Sequence, residues 1–328
     1  MYTTTRCLRA SRNVCIHNPI HRLSNHIPDL TESSMIHGLP ATPYTLDLTI
    51  GFMQRHNITH SILSCPIPLT ILNLSGSEIT CLSREINEYL ASLRSSHPTE
   101  FGFFATLPPL TDTTAAITEI NHALVELKAD GVILLTSYGD KYPGHPDFIP
   151  IWEALELHSA VVFVHPTMED MSNIIKDPIQ IPRPIVDWTH EISRAALNLI
   201  TSNTLNKYPG VRVILSHGGG TLPYIAFRAA ELSQTIGVGS KTAEQILEEA
   251  KTFYFDTAFV GFEGPAQLLE HFAKPGRILV GSDFPYGNDT ALEKQHRGLE
   301  KINGLGDGIC ELFPRLRGYG EEELMYVM

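Results

Sequence analysis

Seven short apolar runs recur along the chain: Ile58–Cys65, Phe101–Leu107, Gly131–Thr136, Ala160–Pro166, Val211–Leu215, Phe253–Asp256 and Arg277–Val280. Continuous runs of this length, rich in β-branched and aromatic residues, read as strands buried on both faces. Between them the apolar positions change to helical spacing, beginning with Leu46, Ile50 and Met53. Helices are predicted over Glu78–Ser95, Asp112–Lys128, Phe148–His158, Trp188–Asn206, Leu222–Thr235, Ala243–Ala250 and Gly264–Phe272. Thr111 or Asp112 would cap one of them and Asp147 another. Strict alternation of strand and helix predicts an α/β fold with a parallel sheet. An eighth strand near the N-terminus would close a TIM-like (β/α)8 barrel. A doubly wound sheet is the alternative, but the glycine run at Gly218–Gly220 lacks the G-x-G-x-x-G spacing of that fold.

The first strand of such a barrel is atypical or missing. Residues 1–28 carry Arg6, Arg9, Arg12 and Arg22 and no acidic residue, which is the composition of an organelle transit peptide. The same segment holds one apolar stretch, Asn13–Ile16, which could serve as strand one, and both readings stand. Residues 29–328 then form one barrel domain, for which the length of 328 residues is sufficient. A formal net charge of −12 argues against a nucleic-acid surface and for a small-molecule partner. The five cysteines show no CxxC spacing, which fits a reducing compartment; the expectation is the cytoplasm, with the mitochondrion as the alternative that the N-terminal composition raises. No apolar run approaches the ~20 residues of a membrane span, so no membrane partner is expected.

Chemistry concentrates at the strand ends. Three of the predicted strands stop on His165, just before His217, and just before Asp283. In a parallel barrel the carboxyl ends of the strands share one rim, where polar residues serve catalysis. Imidazole nitrogen and carboxylate oxygen are the usual ligands of a catalytic divalent metal ion. A single strand-end histidine is more often a satisfied polar residue, but three such groups at equivalent ends point to a metal site. The glycines after His217 would allow close approach of backbone to a ligand, or would simply serve a tight turn.

These phrases, FGFFATLPP (Phe101–Pro109), ADGVILLTSYGDKY (Ala129–Tyr142), AVVFVHPT (Ala160–Thr167), YPGVRVILSHGGGTLPY (Tyr208–Tyr224) and GSDFPYG (Gly281–Gly287), resemble the metal-dependent decarboxylase branch of the amidohydrolase superfamily. Within it they are most similar to the 6-methylsalicylate and aminocarboxymuconate-semialdehyde decarboxylases, over roughly Pro40 to Leu316. The resemblance implies a (β/α)8 barrel holding one divalent ion, zinc first and manganese as the alternative, and a homodimer. It implies that His165 and Asp283 are metal ligands and that His217 acts in catalysis beside the metal, with Asp283 as ligand and proton donor at once. Arg228, eleven residues after His217, matches an arginine that reaches the active site of a neighbouring subunit and binds substrate.

One departure from the family is plain: no H-x-H pair occurs anywhere in the chain, although members carry one at the end of strand one. The nearest candidate is His17 with His21. Four residues apart in a strand they would lie ~13 Å apart, too far to share one ion, so His17 alone is taken as the further metal ligand. The stretch from Thr45 carries no arginine before Arg55, where the semialdehyde decarboxylase binds a second carboxylate. The expected substrate is therefore an aromatic monocarboxylate, and the expected reaction the nonoxidative decarboxylation of 6-methylsalicylate to m-cresol. The rivals are a hydrolase of the same superfamily acting on a lactone, and a barrel whose metal site has decayed with its first strand.

Overall fold

The computed structural model describes residues 14–17, 35–36, 39–40, 45–66, 69, 74–167 and 175–317. Three strands come first: β1 (Val14–His17), β2 (Met35–Ile36) and β3 (Leu39–Pro40), the last two forming a small antiparallel pair. A regular alternation then begins, with α1 (Leu46–Arg55), β4 (His60–Leu63), α2 (Gly76–Ser96), β5 (Phe101–Ala105), α3 (Thr113–Asn121), β6 (Gly131–Leu135), α4 (Ile149–Leu157) and β7 (Val161–His165). It continues through α5 (Asp187–Thr201), α6 (Thr204–Lys207), β8 (Arg212–Leu215), α7 (Leu222–Ile236), α8 (Ala243–Ala250), β9 (Tyr254–Asp256), α9 (Glu263–Phe272), β10 (Ile278–Leu279), α10 (Asp289–Leu299) and α11 (Ile309–Leu312).

The strands pair in the order β1-β4-β5-β6-β7-β8-β9-β10, every pair parallel. Of the first 28 residues the described part is therefore a strand, in register with β4 from Val14 opposite His60 to His17 opposite Leu63. A first strand is present rather than missing. Among the described residues no pairing of β10 with β1 is seen.

Strands β4 to β10 are buried on both faces, as the continuous apolar runs require. One face meets the helices through residues such as Leu63, Phe103, Leu134 and Val164. Their neighbours Ile62, Phe104, Ile133 and Phe163 point the other way, into a second cluster with Ile214, Tyr254 and Leu279. That inner cluster is filled from the C-terminal end of the chain by Ile309, Leu312, Phe313 and Leu316, and the rings of Phe104 and Phe313 lie 6.0 Å apart. Asp112 caps α3 by accepting from the Ala115 N–H. Asp147 caps nothing: a 3₁₀ turn over Pro146–Phe148 precedes α4, His145 accepts the Asp147 N–H, and the Asp147 carboxylate pairs with Lys141.

The C-terminal plug is held by a buried latch. Arg315 grips the Asp130 carboxylate through Nε and Nη2, and Nη2 also donates to Nε2 of His60 at 2.9 Å. Nε2 can accept because Nδ1–H of His60 donates to the Thr99 carbonyl at 2.8 Å. Gly102 makes room for the latch, since a Cβ there would lie 2.1 Å from Nη2 of Arg315. Burial, followed by the Arg315 charge, lowers the His60 pKa from 6.5 to about 4. The unfolded chain thus binds a proton in a window where the folded one does not, and stability falls as pH drops from 6.5 towards 4. His296, lowered to about 4 by burial and then by His56, adds to that slope. His60→Gln keeps an acceptor for Arg315 and removes the titration, so its urea midpoint is expected to fall less than that of the wild type between pH 7 and pH 4.5. Parallel losses in the two proteins would contradict this account of the latch.

Candidate active site

The strand ends bring three of the sequence-predicted residues together. His165 is the last residue of β7, His217 lies two residues beyond β8, and Asp283 lies in the loop between β10 and α10. One potential ligand atom from each lies within 4.8 Å of the others, and the two imidazole rings are 5.8 Å apart at 62°. His165 is buried, while His217 and Asp283 keep a partial opening to solvent.

The local backbone is unusual where it carries these groups. His217 and Asp283 both take left-handed φ values, 50° and 56°, a conformation that costs a non-glycine residue energy and is often kept at functional sites. Gly218, Gly219 and Gly220 follow with φ of 63°, 74° and 62°. A Cβ at Gly220 would sit 1.9 Å from the Thr189 carbonyl oxygen of α5, and one at Gly218 would lie 2.8 Å from Val260. These glycines therefore serve the tight turn against neighbouring elements, which is the second of the two readings the sequence leaves open.

Each histidine commits Nδ1 to a backbone carbonyl. His165 Nδ1–H donates to Pro166 at 3.0 Å and His217 Nδ1–H to Ala258 at 3.1 Å. In both rings Nε2 is then the nitrogen that carries the lone pair, the usual arrangement of a metal-binding histidine whose other nitrogen is held by the protein. Burial pushes the Asp283 carboxyl up to about 6, with Asp256 raising it further and His217 opposing. A carboxylate closed in this way gains from a cation, and two imidazoles with one carboxylate are a donor set that fits a divalent ion.

The other sequence-predicted residues are not among the three described groups that this cluster gathers. His17 ends β1, opposite Leu63. Its side chain lies outside the described residues, as does His21 entirely. Arg228 is exposed on the outward face of α7, beside Tyr224 and Phe227, which are 80% and 56% exposed. Arg55 is engaged elsewhere: its Nε and Nη2 donate to Asp289 at the start of α10, and His56 reaches the same carboxylate at 2.7 Å.

Three neighbours of the cluster escape the sequence reading. Trp188, in the first turn of α5, stands edge-on to His165 with ring centroids 5.8 Å apart. Tyr286 shares the Asp283 loop, and burial, then Asp283, pushes its phenol up to about 12. Asp256 ends β9 beneath His217 and is 2% exposed. The strand-end rule that selects His165 would have found Asp256, since Phe253–Asp256 also stops on a carboxylate. Tyr286 lies within the GSDFPYG phrase that carries Asp283, whereas no sequence pattern ties Trp188 to the site.

A family model described as amidohydrolase matches residues 68–312, most of the chain. This chain belongs to the amidohydrolase family. Within that family it is 42% identical over 301 residues to decarboxylase macB of Penicillium terrestre, covering 86% of this chain and 89% of the relative. It is 40% identical over 290 residues to a 6-methylsalicylic acid decarboxylase of Penicillium expansum, covering 84% and 88%. The family's architecture is matched by a dihydroxybenzoic acid decarboxylase of Polaromonas sp. JS666, solved with manganese and the inhibitor 2-nitroresorcinol. That structure superposes with a TM-score of 0.73 over 95% of this chain and 100% of the other at 19% identity, a likeness that speaks for the fold.

Proposed function

We propose that this chain is a metal-dependent carboxy-lyase that converts 6-methylsalicylate to m-cresol and carbon dioxide. The observation that carries the reaction class is the convergence of His165, His217 and Asp283 within 4.8 Å at the strand ends. The choice of substrate rests on relatives 40% identical over 84% of the chain that bear the name 6-methylsalicylic acid decarboxylase. It is also supported by the engagement of Arg55 with Asp289, which leaves α1 without a free arginine for a second carboxylate.

His165, Asp283 and His217 would hold one divalent ion, with His17 as a further candidate. When bound, such an ion supplies positive charge to fix the substrate carboxylate and the neighbouring phenolic oxygen. Zinc is the first choice from the resemblance and manganese the alternative, which the Polaromonas relative favours. The chain's own residues do the rest. Trp188, edge-on to His165, and Tyr286, in the Asp283 loop, would offer aromatic surface suited to a ring. Asp283 delivers a proton to the ring carbon that bears the carboxylate, with His217 beside it to guide the transfer. The bond to the carboxylate then breaks, its electrons return to the ring, and carbon dioxide leaves as the phenol forms.

Three broader features belong to the same reading. Closure of β10 onto β1 would complete the eight-stranded barrel, with residues 29–328 as one domain behind the atypical segment 1–28. The exposed face of α7 would pack against a second copy, bringing Arg228 towards the partner's substrate, and a mass in solution twice that of one chain is the check. No helix among the described residues is long and apolar enough to cross a membrane, and a cytoplasmic location is proposed.

The test compares substrates on metal-loaded protein: 6-methylsalicylate, aminocarboxymuconate semialdehyde and a simple lactone. Turnover of the salicylate well above the other two is expected. Turnover of the lactone alone would replace the reading with a hydrolase, and turnover of none would favour a decayed site.

A further inference from the structure

His217 holds a left-handed backbone that nothing in its own side chain explains, and the structure shows what holds it. Asp256 Oδ1 accepts two backbone N–H groups at once, those of His217 and Ala258, each at 2.9 Å. Two residues on, the Ala258 carbonyl accepts Nδ1–H from the His217 ring at 3.1 Å. One corner of chain, Asp256–Ala258, therefore grips both the backbone and the ring of the same histidine. The grip occupies Nδ1 and assigns the lone pair to Nε2.

The same corner leans on the other side of the site. Thr257 Oγ1 accepts the Gly281 N–H at 3.2 Å, two residues before Asp283. A Cβ at Gly281 would meet Cγ of Asp256 at 2.9 Å and the Ala258 nitrogen at 3.0 Å. Gly281 has no left-handed φ to account for it among the residues with positive values. Its glycine is explained by space: the Asp256 carboxylate and the Ala258 backbone occupy the volume that a side chain would need.

We propose that Asp256 is a positioning residue, whose corner sets the backbone turn and ring tautomer of His217 and keeps the Asp283 loop in register with it. The proposal rests on the reading of this cluster as the active site. Its chemistry is that of an outer-shell partner, whose loss costs about 10- to 100-fold in metal affinity or rate. Asp256 takes no part in proton transfer.

The test uses the tautomer of His217, read from imidazole ¹⁵N shifts in metal-free full-length protein and assigned by the signal missing in His217→Ala. Wild type is expected in the Nδ1–H form. Asp256→Asn keeps an oxygen acceptor of the same shape and should hold that tautomer with kcat within a few-fold of wild type. Gly281→Ala leaves every polar group in place but displaces the corner. It should mix the tautomers and lower kcat about 10- to 100-fold with KM little changed. Loss of rate in Asp256→Asn with the tautomer intact would overturn the proposal in favour of a proton-carrying Asp256, and a wild-type tautomer and rate in Gly281→Ala would overturn the coupling. The tautomer needs no substrate: a shift in Gly281→Ala supports the proposal even where wild type turns over no salicylate, a result that counts against the proposed reaction alone.

Discussion

Asp283→Asn is expected to lower kcat for 6-methylsalicylate by about 1,000-fold, in the middle of the range that a lost general acid costs. Asparagine preserves the volume and one carbonyl oxygen of Asp283, so the loop between β10 and α10 can keep its left-handed turn. What disappears is the proton and the charge. Because burial penalises the Asp283 carboxylate in the folded protein, the variant should unfold at the same urea concentration as wild type or higher. A fall in rate with undiminished stability separates a chemical role from a structural one. A variant retaining a tenth or more of wild-type kcat would remove Asp283 from the proton path.

His165→Ala carries the second large effect, on metal and rate together. His165 is buried at the end of β7, with Nδ1–H committed to the Pro166 carbonyl. Its loss would reduce the proposed donor set from three groups to two. Outer-shell partners alone are worth up to about 100-fold in affinity, so removing a direct ligand should weaken binding by at least that factor. Metal content after dialysis is the measurement, and kcat/KM should fall in parallel. His217→Ala is the companion: it also removes one of the three proposed donors, but the resemblance adds work on the substrate, so its loss of rate should exceed what its loss of metal explains. Equal metal in His165→Ala and wild type would move the binding site elsewhere.

Much of the fold is legible in the amino-acid sequence, and for a physical reason. Strands β4 to β10 are buried on both faces, so their residues read as unbroken apolar runs whose ends also mark the catalytic rim. Helix α8 is equally plain, with Thr242 and Gln245 forming a capping box at its start. Helix α10 is not, because its inward face is made by Leu292 and Leu299 together with fully buried Gln295 and Gly298. The charged residues Asp289, Glu293, Lys294 and Arg297 make the helix polar overall, and Gly298 is required where a Cβ would lie 2.2 Å from the Gly261 carbonyl oxygen. The C-terminal plug is hidden for a different reason: Ile309, Leu312, Phe313 and Leu316 keep the i, i+3, i+4, i+7 spacing of a helix face, but Pro314 interrupts it after one turn, and these residues acquire their meaning only against the inner face of the sheet. In the site, strand-end position is enough to find His165, His217 and Asp283, whereas Trp188 reaches His165 from the start of α5, more than twenty residues along the chain. Asp256 obeys the strand-end rule, yet its partners are backbone N–H groups that a sequence does not display.

The most direct test of the central claim is the product formed from 6-methylsalicylate in deuterated water by metal-loaded protein. Delivery of a solvent-derived proton to the carbon that loses the carboxylate predicts m-cresol one mass unit heavier, formed in step with carbon dioxide and absent with Asp283→Asn. Unlabelled m-cresol, or 6-methylsalicylate recovered unchanged while a lactone is hydrolysed, would contradict it.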